Sequence, residues 1–184
     1  MIVEDLKVEK NTVLRQLMIN SNGLYLYDVK DASVRHNEFL ENTVATVWNS
    51  VRETTFSENV FQSNSTVVEA KKSPKVVVED NQFIGNILAA RSDKYMFMLQ
   101  SNMYDDYTGY DFNRDQIGDT PHQTYTSFGQ WMVRKPVYQY FIEAPSVVLL
   151  NKMDEQAKTK DSHQLTDETP VMPESNDSFT WNVQ

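Results

Sequence analysis

The feature that most constrains the fold of this 184-residue chain is a short pattern, asparagine–any residue–aromatic, that recurs at a nearly constant interval. Its four copies are Asn37-Glu38-Phe39, Asn59-Val60-Phe61, Asn81-Gln82-Phe83 and Asn102-Met103-Tyr104, with spacings of 22, 22 and 21 residues. A second asparagine follows three residues after the aromatic in the first three copies, at Asn42, Asn64 and Asn86. One period further back, Leu17 and Asn20 stand in the corresponding places. Repeats of this length are typical of stacked units that bury their apolar faces only against their neighbours.

Aligning the repeats places residues of similar character in columns. The interior columns are Val34/Phe56/Val78/Leu99, Phe39/Phe61/Phe83/Tyr104, Leu24/Thr46/Val68/Ala90 and Val44/Thr66/Leu88. Mixed columns such as Tyr25/Val47/Glu69/Arg91 alternate with them, and alternation with period two is typical of β-strands. Two strand-like runs per repeat, joined by corners containing asparagine or serine, predict an all-β parallel β-helix with about 22 residues per rung.

The asparagines themselves have a structural interpretation. Asparagine tolerates left-handed backbone, which suits a corner, and stacked asparagines can form amide ladders. A leucine-rich repeat is the competing fold, because its period overlaps and it also contains an asparagine. Leucine is scarce here and β-branched residues dominate, so the residue types favour the β-helix.

The chain divides into four segments. Residues 1–104 are predicted to form the β-helix rungs, and residues 105–124 an acidic loop punctuated by glycine. Residues 125–153 are predicted to form a short helical C-terminal cap over the open end of the stack, where exposed strand edges would otherwise invite aggregation. The polar tail, residues 154–184, is expected to be disordered.

Charge and composition exclude several function classes. The 17 basic and 26 acidic residues give a net charge of −9, which argues against nucleic-acid binding. The absence of cysteine excludes disulfides, thiolate metal sites and cysteine nucleophiles. The sequence shows neither a signal peptide nor a transmembrane segment. Both a full-length chain and an N-terminally truncated fragment of an exported protein are compatible with this.

The acidic loop carries the start of a calcium-binding pattern. Oxygen-bearing side chains alternate at Asp111, Asn113, Asp115 and Asp119, and Ile117 stands where a backbone carbonyl is the usual ligand. Gln116 replaces the usual glycine at the sixth position and His122 replaces the bidentate glutamate at the twelfth. A structural calcium ion and a metal-free hydrogen-bonded loop therefore both fit.

Two further patterns suggest weaker chemistry. Met96 and Met98 are expected to face outward, where their thioethers would suit Cu(I), or to pack beneath the C-terminal cap. Asp105 and Asp106 are adjacent, and neighbouring strand residues face opposite ways, so they make a poor acid–base pair for glycoside cleavage. The chain is therefore expected not to be an enzyme.

The loop motif resembles one known family. Asn102-x-Tyr104-x-Asp106-Tyr107-x-Gly109-x-Asp111-x-Asn113-x-Asp115-x-Ile117-Gly118-Asp119-x-Pro121, preceded by asparagine-rich rungs, resembles the C-terminal part of NosD, the accessory protein of nitrous oxide reductase maturation. The segment from Ala144 to Leu150 is similar to the region that follows in the family. Tyr104, Asn113, Gln116 and His122 depart from the family's Trp, Asp, Gly and Tyr.

The resemblance implies a right-handed parallel β-helix located outside the cytoplasm, in the periplasm or at the cell surface. It implies a non-catalytic scaffold that works with an ABC transporter membrane subunit and a copper chaperone to assemble the copper site of nitrous oxide reductase. The alternative function is a carbohydrate-binding or carbohydrate-cleaving β-helix, for which Tyr25, Tyr27 and Trp48 would be the aromatic groove.

Overall fold

The computed structural model describes residues 2–18, 21–93, 97–124, 137, 141, 144–147, 149–150, 153 and 165–173. Short β-strands dominate the described chain. In order they are β1 Val3–Glu4, β2 Lys7–Glu9, β3 Thr12–Leu14, β4 Asn22–Tyr27, β5 Val29–Lys30, β6 Ser33–Arg35, β7 Glu38–Leu40, β8 Val44–Asn49, β9 Thr54–Ser57, β10 Val60–Gln62, β11 Thr66–Lys71, β12 Val76–Glu79, β13 Gln82–Ile84, β14 Leu88–Ser92, β15 Met98–Gln100, β16 Met103–Tyr104, β17 His122–Gln123 and β18 Thr166–Asp167.

These strands stack into a parallel β-solenoid whose rungs advance by about 22 residues. One sheet has the order β16-β13-β10-β7-β3, a second β14-β11-β8-β4, and a third β17-β18-β15-β12-β9-β6-β2, while β1 and β5 form a separate pair. Pairing is parallel throughout these sheets except between β17 and β18. The predicted all-β parallel β-helix with about 22 residues per rung is therefore confirmed, and the leucine-rich repeat is excluded.

The predicted columns match the observed registers. Phe39, Phe61, Phe83 and Tyr104 are consecutive partners in the first sheet, and neighbouring rings stack with centroids 5.1, 5.3 and 4.9 Å apart. These rings and the residues of the other interior columns are buried and form the hydrophobic core. On the outer side, Glu69 and Arg91 are also register partners and form an ion pair.

Each rung has three sheet-forming sides, so the prediction of two strand-like runs was wrong. The prediction that the asparagines themselves take left-handed backbone was also wrong. Positive φ belongs to the residue before each asparagine, as at His36 (54°) and Glu41 (55°), and this leaves the asparagine side chain free to point inward. Two further columns of left-handed residues, Asp28/Ser50/Lys72 and Asp31/Glu53/Lys75, make the remaining corners. These are ordinary polar residues, so their type did not reveal the corners.

Asparagines at two corners of the rungs form amide ladders, as predicted, and those of the inner rungs are buried. In what we call the first ladder, the backbone N–H and the side-chain Nδ2 of each residue both donate to Oδ1 of the next asparagine at 2.9–3.1 Å. Its members are Asn11, Asn37, Asn59, Asn81 and Asn102. The second ladder, Asn42, Asn64 and Asn86, repeats the arrangement on the next corner.

The N-terminal rung begins earlier than the sequence pattern indicated. Val13 pairs with Phe39, and Asn11 joins the first ladder at a spacing of 26 residues. Leu17 is 66% exposed and occupies no interior column, while Asn20 lies outside the described residues. The assignment of Leu17 to the repeat was therefore wrong, because the spacing between the first two rungs is 26 residues and the usual spacing is 22.

Beyond the last rung, part of the tail is ordered against the solenoid. Residues 165–173 belong to the tail expected to be disordered, yet β18 pairs with β15 and Leu165 is buried. This expectation was therefore wrong for that stretch, because its side chains complete the end of the core.

Most of the predicted helical cap, residues 125–153, lies outside the described residues, although positions 145–147, 149–150 and 153 are helical. No helix among the described residues has the length and apolar character needed to cross a membrane.

Candidate functional site

The C-terminal end of the solenoid brings together the acidic loop, the tail strand and the last rung. Asp167 ends the first asparagine ladder there, and its side chain is fully buried. Its Oδ2 accepts from the backbone N–H and Nδ2 of Asn102 at 3.0 and 2.9 Å and from the Tyr104 hydroxyl at 3.2 Å. Its Oδ1 accepts from the backbone N–H groups of Ser101 and Thr169, each at 3.1 Å. An acceptor-only carboxylate thus terminates a run of amides that would otherwise leave buried donors unpaired.

His122 extends the aromatic column by one ring. Its imidazole stacks on Tyr104 with centroids 4.0 Å apart and meets Tyr107 edge-on at 5.8 Å. Burial lowers the pKa of His122 below its ordinary value, although the nearby carboxylates of Asp106 and Asp167 act in the opposite direction. Burial also raises the pKa of Tyr104 far above its ordinary value, and the Asp167 carboxylate adds to that rise. Both side chains are therefore neutral near pH 7.

Tyr107 attaches the acidic loop to the last rung. Its ring is buried, and its hydroxyl donates to the backbone carbonyl of Thr120 at 2.6 Å. A Cβ atom placed on Gly109 or on Gly118 would overlap the Tyr107 hydroxyl. The Tyr-x-Gly and Ile-Gly-Asp parts of the motif therefore have a common steric reason, since the loop closes around the tyrosine only where these two residues lack side chains.

The carboxylates of the loop organise its backbone. Asp111 Oδ1 accepts from the N–H of Arg114 at 2.6 Å, and its Oδ2 accepts from the N–H of Gln116 at 2.9 Å. Asp115 Oδ1 accepts from the N–H of Ile117 at 2.9 Å, and Asp119 Oδ2 from the N–H of Phe112 at 2.6 Å.

The side chain of Asn113 links these turns. Its Nδ2 donates to Asp115 Oδ2 at 2.9 Å, and its Oδ1 accepts from the Asp115 N–H at 3.1 Å. Four of the predicted ligand residues thus lie in one loop where their side-chain oxygens accept from N–H groups, namely Asp111, Asn113, Asp115 and Asp119. In the part of the chain that the structure describes, no three His, Cys, Asp or Glu side chains form a metal-binding group.

A cavity of about 190 Å³ lies beside this end of the solenoid. Asp105 and Asp106 are on its rim but have different partners. Asp105 Oδ2 accepts from the N–H of Gly85 at 2.7 Å, whereas Asp106 Oδ1 lies 3.7 Å from His122 Nε2. The two carboxylates are therefore not arranged as a facing pair.

The other candidate residues lie away from this end or do not form a group. Met98 is 57% exposed, and Met96 lies outside the described residues. Tyr25 and Tyr27 are exposed on β4, but Trp48 is fully buried and packs on Phe56. Trp48 is therefore not part of an exposed aromatic groove, because its ring belongs to the core.

Sequence reasoning missed Asp167 and His122. His122 was treated as a substitute in the calcium pattern, and Asp167 fell in a tail whose polarity indicated disorder. A usable signal did exist, because Leu165-Thr166-Asp167 has the alternation of a short strand. However, Asn102, to which Asp167 is hydrogen-bonded, lies 65 residues away from it in sequence, outside any periodic interval.

Fold and site together define a parallel β-solenoid protein that is closed at its C-terminal end by a strand of its own tail. No protein-family model matches the chain, and no curated protein matches it either.

Proposed function

We propose that the protein is a non-catalytic scaffold that acts outside the cytoplasm and assists copper-site assembly of nitrous oxide reductase together with an ABC transporter. The solenoid supplies a rigid body, and the closed C-terminal end with its acidic loop supplies the docking surface. A copper chaperone would be the third partner. This is the function of the NosD family, to which the loop motif is similar.

The observation that supports the proposal is the packing of Tyr107 between Gly109 and Gly118. All three residues belong to the motif shared with that family, and they fix the loop on the last rung. The loop is thereby presented as a rigid surface, which suits docking because fewer degrees of freedom are lost on binding.

Binding to purified components tests the scaffold function directly. The full chain is expected to bind the detergent-solubilised membrane subunit of such a transporter or the reductase itself. The Gly109→Ala/Gly118→Ala variant is expected to lose that binding, since its loop cannot close around Tyr107. Thr108→Ala is the matched control, because Thr108 is an exposed residue of the same loop. Absence of binding to every component, or binding indifferent to the glycine pair, would refute the proposal.

Calcium is the cation whose chemistry fits the loop, because its donors are carboxylate and amide oxygens. Asp111, Asn113, Asp115 and Asp119 would supply side-chain oxygens and Ile117 a carbonyl, with the ion acting as a structural clamp. Titration calorimetry is expected to detect binding that Asp111→Ala abolishes. A flat titration of the unchanged protein would remove calcium from the proposal and leave a hydrogen-bonded loop.

Copper handling has a separate test at Met98, together with Met96. If these thioethers bind Cu(I), the Met96→Ala/Met98→Ala variant is expected to lose Cu(I) affinity in a competition titration with a chromophoric chelator. Unchanged affinity in that variant would eliminate these two residues as ligands.

Carbohydrate binding is the second candidate function, and exposed aromatic residues favour it. Tyr25 and Tyr27 are 52% and 62% exposed, and the rings of Tyr110 and Phe112 stack 5.6 Å apart on the exposed loop. Incubation with polyuronides and other glycans separates the two functions. Turnover that Asp105→Ala or Asp106→Ala abolishes would overturn the scaffold proposal.

A further inference from the structure

The acidic loop presents two aromatic rings side by side to solvent. Phe112 and Tyr110 are 77% and 67% exposed, and they are the two most exposed aromatic side chains among the residues that the structure describes. Their ring centroids are 5.6 Å apart and their planes are inclined by 24°, so the rings stack on each other. Large exposed rings held next to each other are typical of a surface that contacts a partner.

The backbone that carries the two rings is held in place by hydrogen bonds. The Tyr110 carbonyl accepts from the Asp119 N–H at 2.8 Å, and Asp119 Oδ2 accepts from the Phe112 N–H at 2.6 Å. The tail also fixes this loop, because the N–H of Gly118 donates to the Pro170 carbonyl at 2.7 Å. The rings are therefore presented by an ordered backbone, and less conformational entropy is lost when a partner binds them.

The carboxylates around the rings differ from those of the rungs, because they have no cationic partner. On the rungs, acidic and basic side chains of neighbouring turns form ion pairs, as Glu9 does with Arg35. Segment 105–119 has a net charge of −4, with one basic residue, Arg114, and five aspartates: Asp105, Asp106, Asp111, Asp115 and Asp119. In the described part of the chain, none of these five carboxylates forms an ion pair with a lysine or arginine, and His122 beside Asp106 is neutral near pH 7. The charge of the loop is therefore left for a partner to neutralise.

Arginine is the side chain whose chemistry matches both the rings and the carboxylates. Its planar guanidinium stacks on the face of an aromatic ring and also donates to a carboxylate through two parallel N–H groups. Phe112 and Asp119 are adjacent, since Asp119 Oδ2 is 2.6 Å from the Phe112 nitrogen. Polyuronides and anionic lipid headgroups are repelled by the same charge, and a neutral glycan does not compensate it.

We propose that Tyr110 and Phe112 bind a basic, arginine-bearing segment of a partner protein, whose guanidinium groups stack on the outer ring faces and pair with the loop carboxylates. This inference rests on the proposed docking role of the acidic loop and names the chemistry that the loop recognises. Its test uses no maturation component, so the two proposals fail separately. Component binding without peptide binding would refute only this inference, and peptide binding without component binding would refute only the scaffold function.

The test uses the full chain and two labelled peptides of equal length and charge, one alternating glycine with arginine and the other alternating glycine with lysine. Fluorescence anisotropy at physiological salt is expected to show saturable binding of the arginine peptide. A chelator is present, so that calcium does not occupy the carboxylates. The lysine peptide is expected to bind about fivefold more weakly, because an ammonium group stacks less well on the rings. Equal binding of the two peptides would overturn the proposal, since charge alone would then explain the attraction.

Protein variants locate the binding site on the two rings. Tyr110→Ser/Phe112→Ser is expected to weaken binding about tenfold, and circular dichroism is expected to show an unchanged fold because both rings are exposed. The matched control is Tyr25→Ser/Tyr27→Ser, which removes two rings that are 52% and 62% exposed on β4 and is expected to leave binding unchanged.

A charge variant tests the carboxylates separately. Asp119→Asn keeps an oxygen that accepts from the Phe112 N–H but removes the charge beside the ring, and it is expected to weaken binding about threefold. Asp5→Asn, at an exposed residue of the first rung, is the control and is expected to have no effect. Full binding by the Tyr110→Ser/Phe112→Ser variant, equal losses in the two double variants, or binding of dextran in place of the arginine peptide would each overturn the proposal.

Discussion

At the scale of single residues, Asp167 stands out because a fully buried carboxylate receives five donors and has no cationic partner among them. Removing this carboxylate leaves the five donors unpaired in the interior. Asp167→Ala is therefore expected to lower the free energy of unfolding by about 3 kcal/mol or more. Asp167→Asn is expected to lower the free energy of unfolding by roughly half as much. Asparagine keeps one acceptor oxygen, but its amide nitrogen faces N–H or O–H donors on the other side.

Urea unfolding followed by circular dichroism measures both changes. Glu168→Gln, at the exposed neighbouring residue, is the control and is expected to stay within about 0.5 kcal/mol of the unchanged protein. If Asp167→Ala unfolds at the same urea concentration as the control, the carboxylate does not stabilise the closed end.

His122 makes stability depend on pH at the same end. Its folded-state pKa is lowered by burial, so the unfolded chain binds a proton more readily. The contribution is complete above the unfolded pKa of about 6.5 and is lost as pH falls through the lower folded value. His122→Phe keeps the stack on Tyr104 and is expected to flatten the decline in unfolding free energy below about pH 6.5.

The matched control is His36→Gln, which removes a histidine whose side chain is 43% exposed and leaves the closed end unchanged. Unfolding midpoints measured across the acid range decide between them. A decline that persists in His122→Phe and vanishes in His36→Gln would place the pH sensitivity elsewhere.

At the scale of elements, the first ladder should stabilise the solenoid unevenly along its length. Asn59 is fully buried and makes side-chain bonds to the rungs on both sides, whereas Asn11 is exposed at the open end. Asn59→Ala is expected to cost about 3 kcal/mol and Asn11→Ala less than about 1 kcal/mol. Equal losses in chemical denaturation would mean that the amides stabilise through corner geometry and not through buried hydrogen bonds.

The same elements show what a sequence can predict. Register was predictable because Asn37, Asn59 and Asn81 recur at equal intervals and each carries a large aromatic two residues later. The third side of the rung was not, since the corner residues Asp31, Glu53 and Lys75 share a backbone conformation but no residue type. Left-handed backbone costs most residues about 1–2 kcal/mol and is routine only for Gly, Asn and Asp, so residue type does not predict a corner at Glu53 or Lys75.

The candidate site divides in the same way. The glycines around Tyr107 were visible as a motif, although only the structure supplies the steric reason for them. Asp167 was not predictable from periodicity, because the tail returns to the stack through tertiary contacts alone.

At the scale of the whole molecule, the two ends of the solenoid differ. Apolar residues of the first rung, such as Leu6, Val8 and Val13, are only half-buried, while the last rung is covered by β17 and β18. Stability in stacked repeats is a sum of nearest-neighbour terms, so a rung with one neighbour opens more easily than one with two. The molecule is therefore expected to open from its N-terminal end.

Native-state hydrogen exchange tests this order of opening. Amides of β2 and β3 are expected to exchange fastest among the rung strands, and those of β9, β10 and β11 slowest. Asp167→Ala is expected to accelerate exchange in β15 and β16 without affecting β2 and β3, because the lost donors belong to the last rung alone. Glu168→Gln should leave both ends unchanged. Equal acceleration in every strand would show that the solenoid unfolds as one cooperative unit, and closure by the tail would then stabilise the whole stack and not one end.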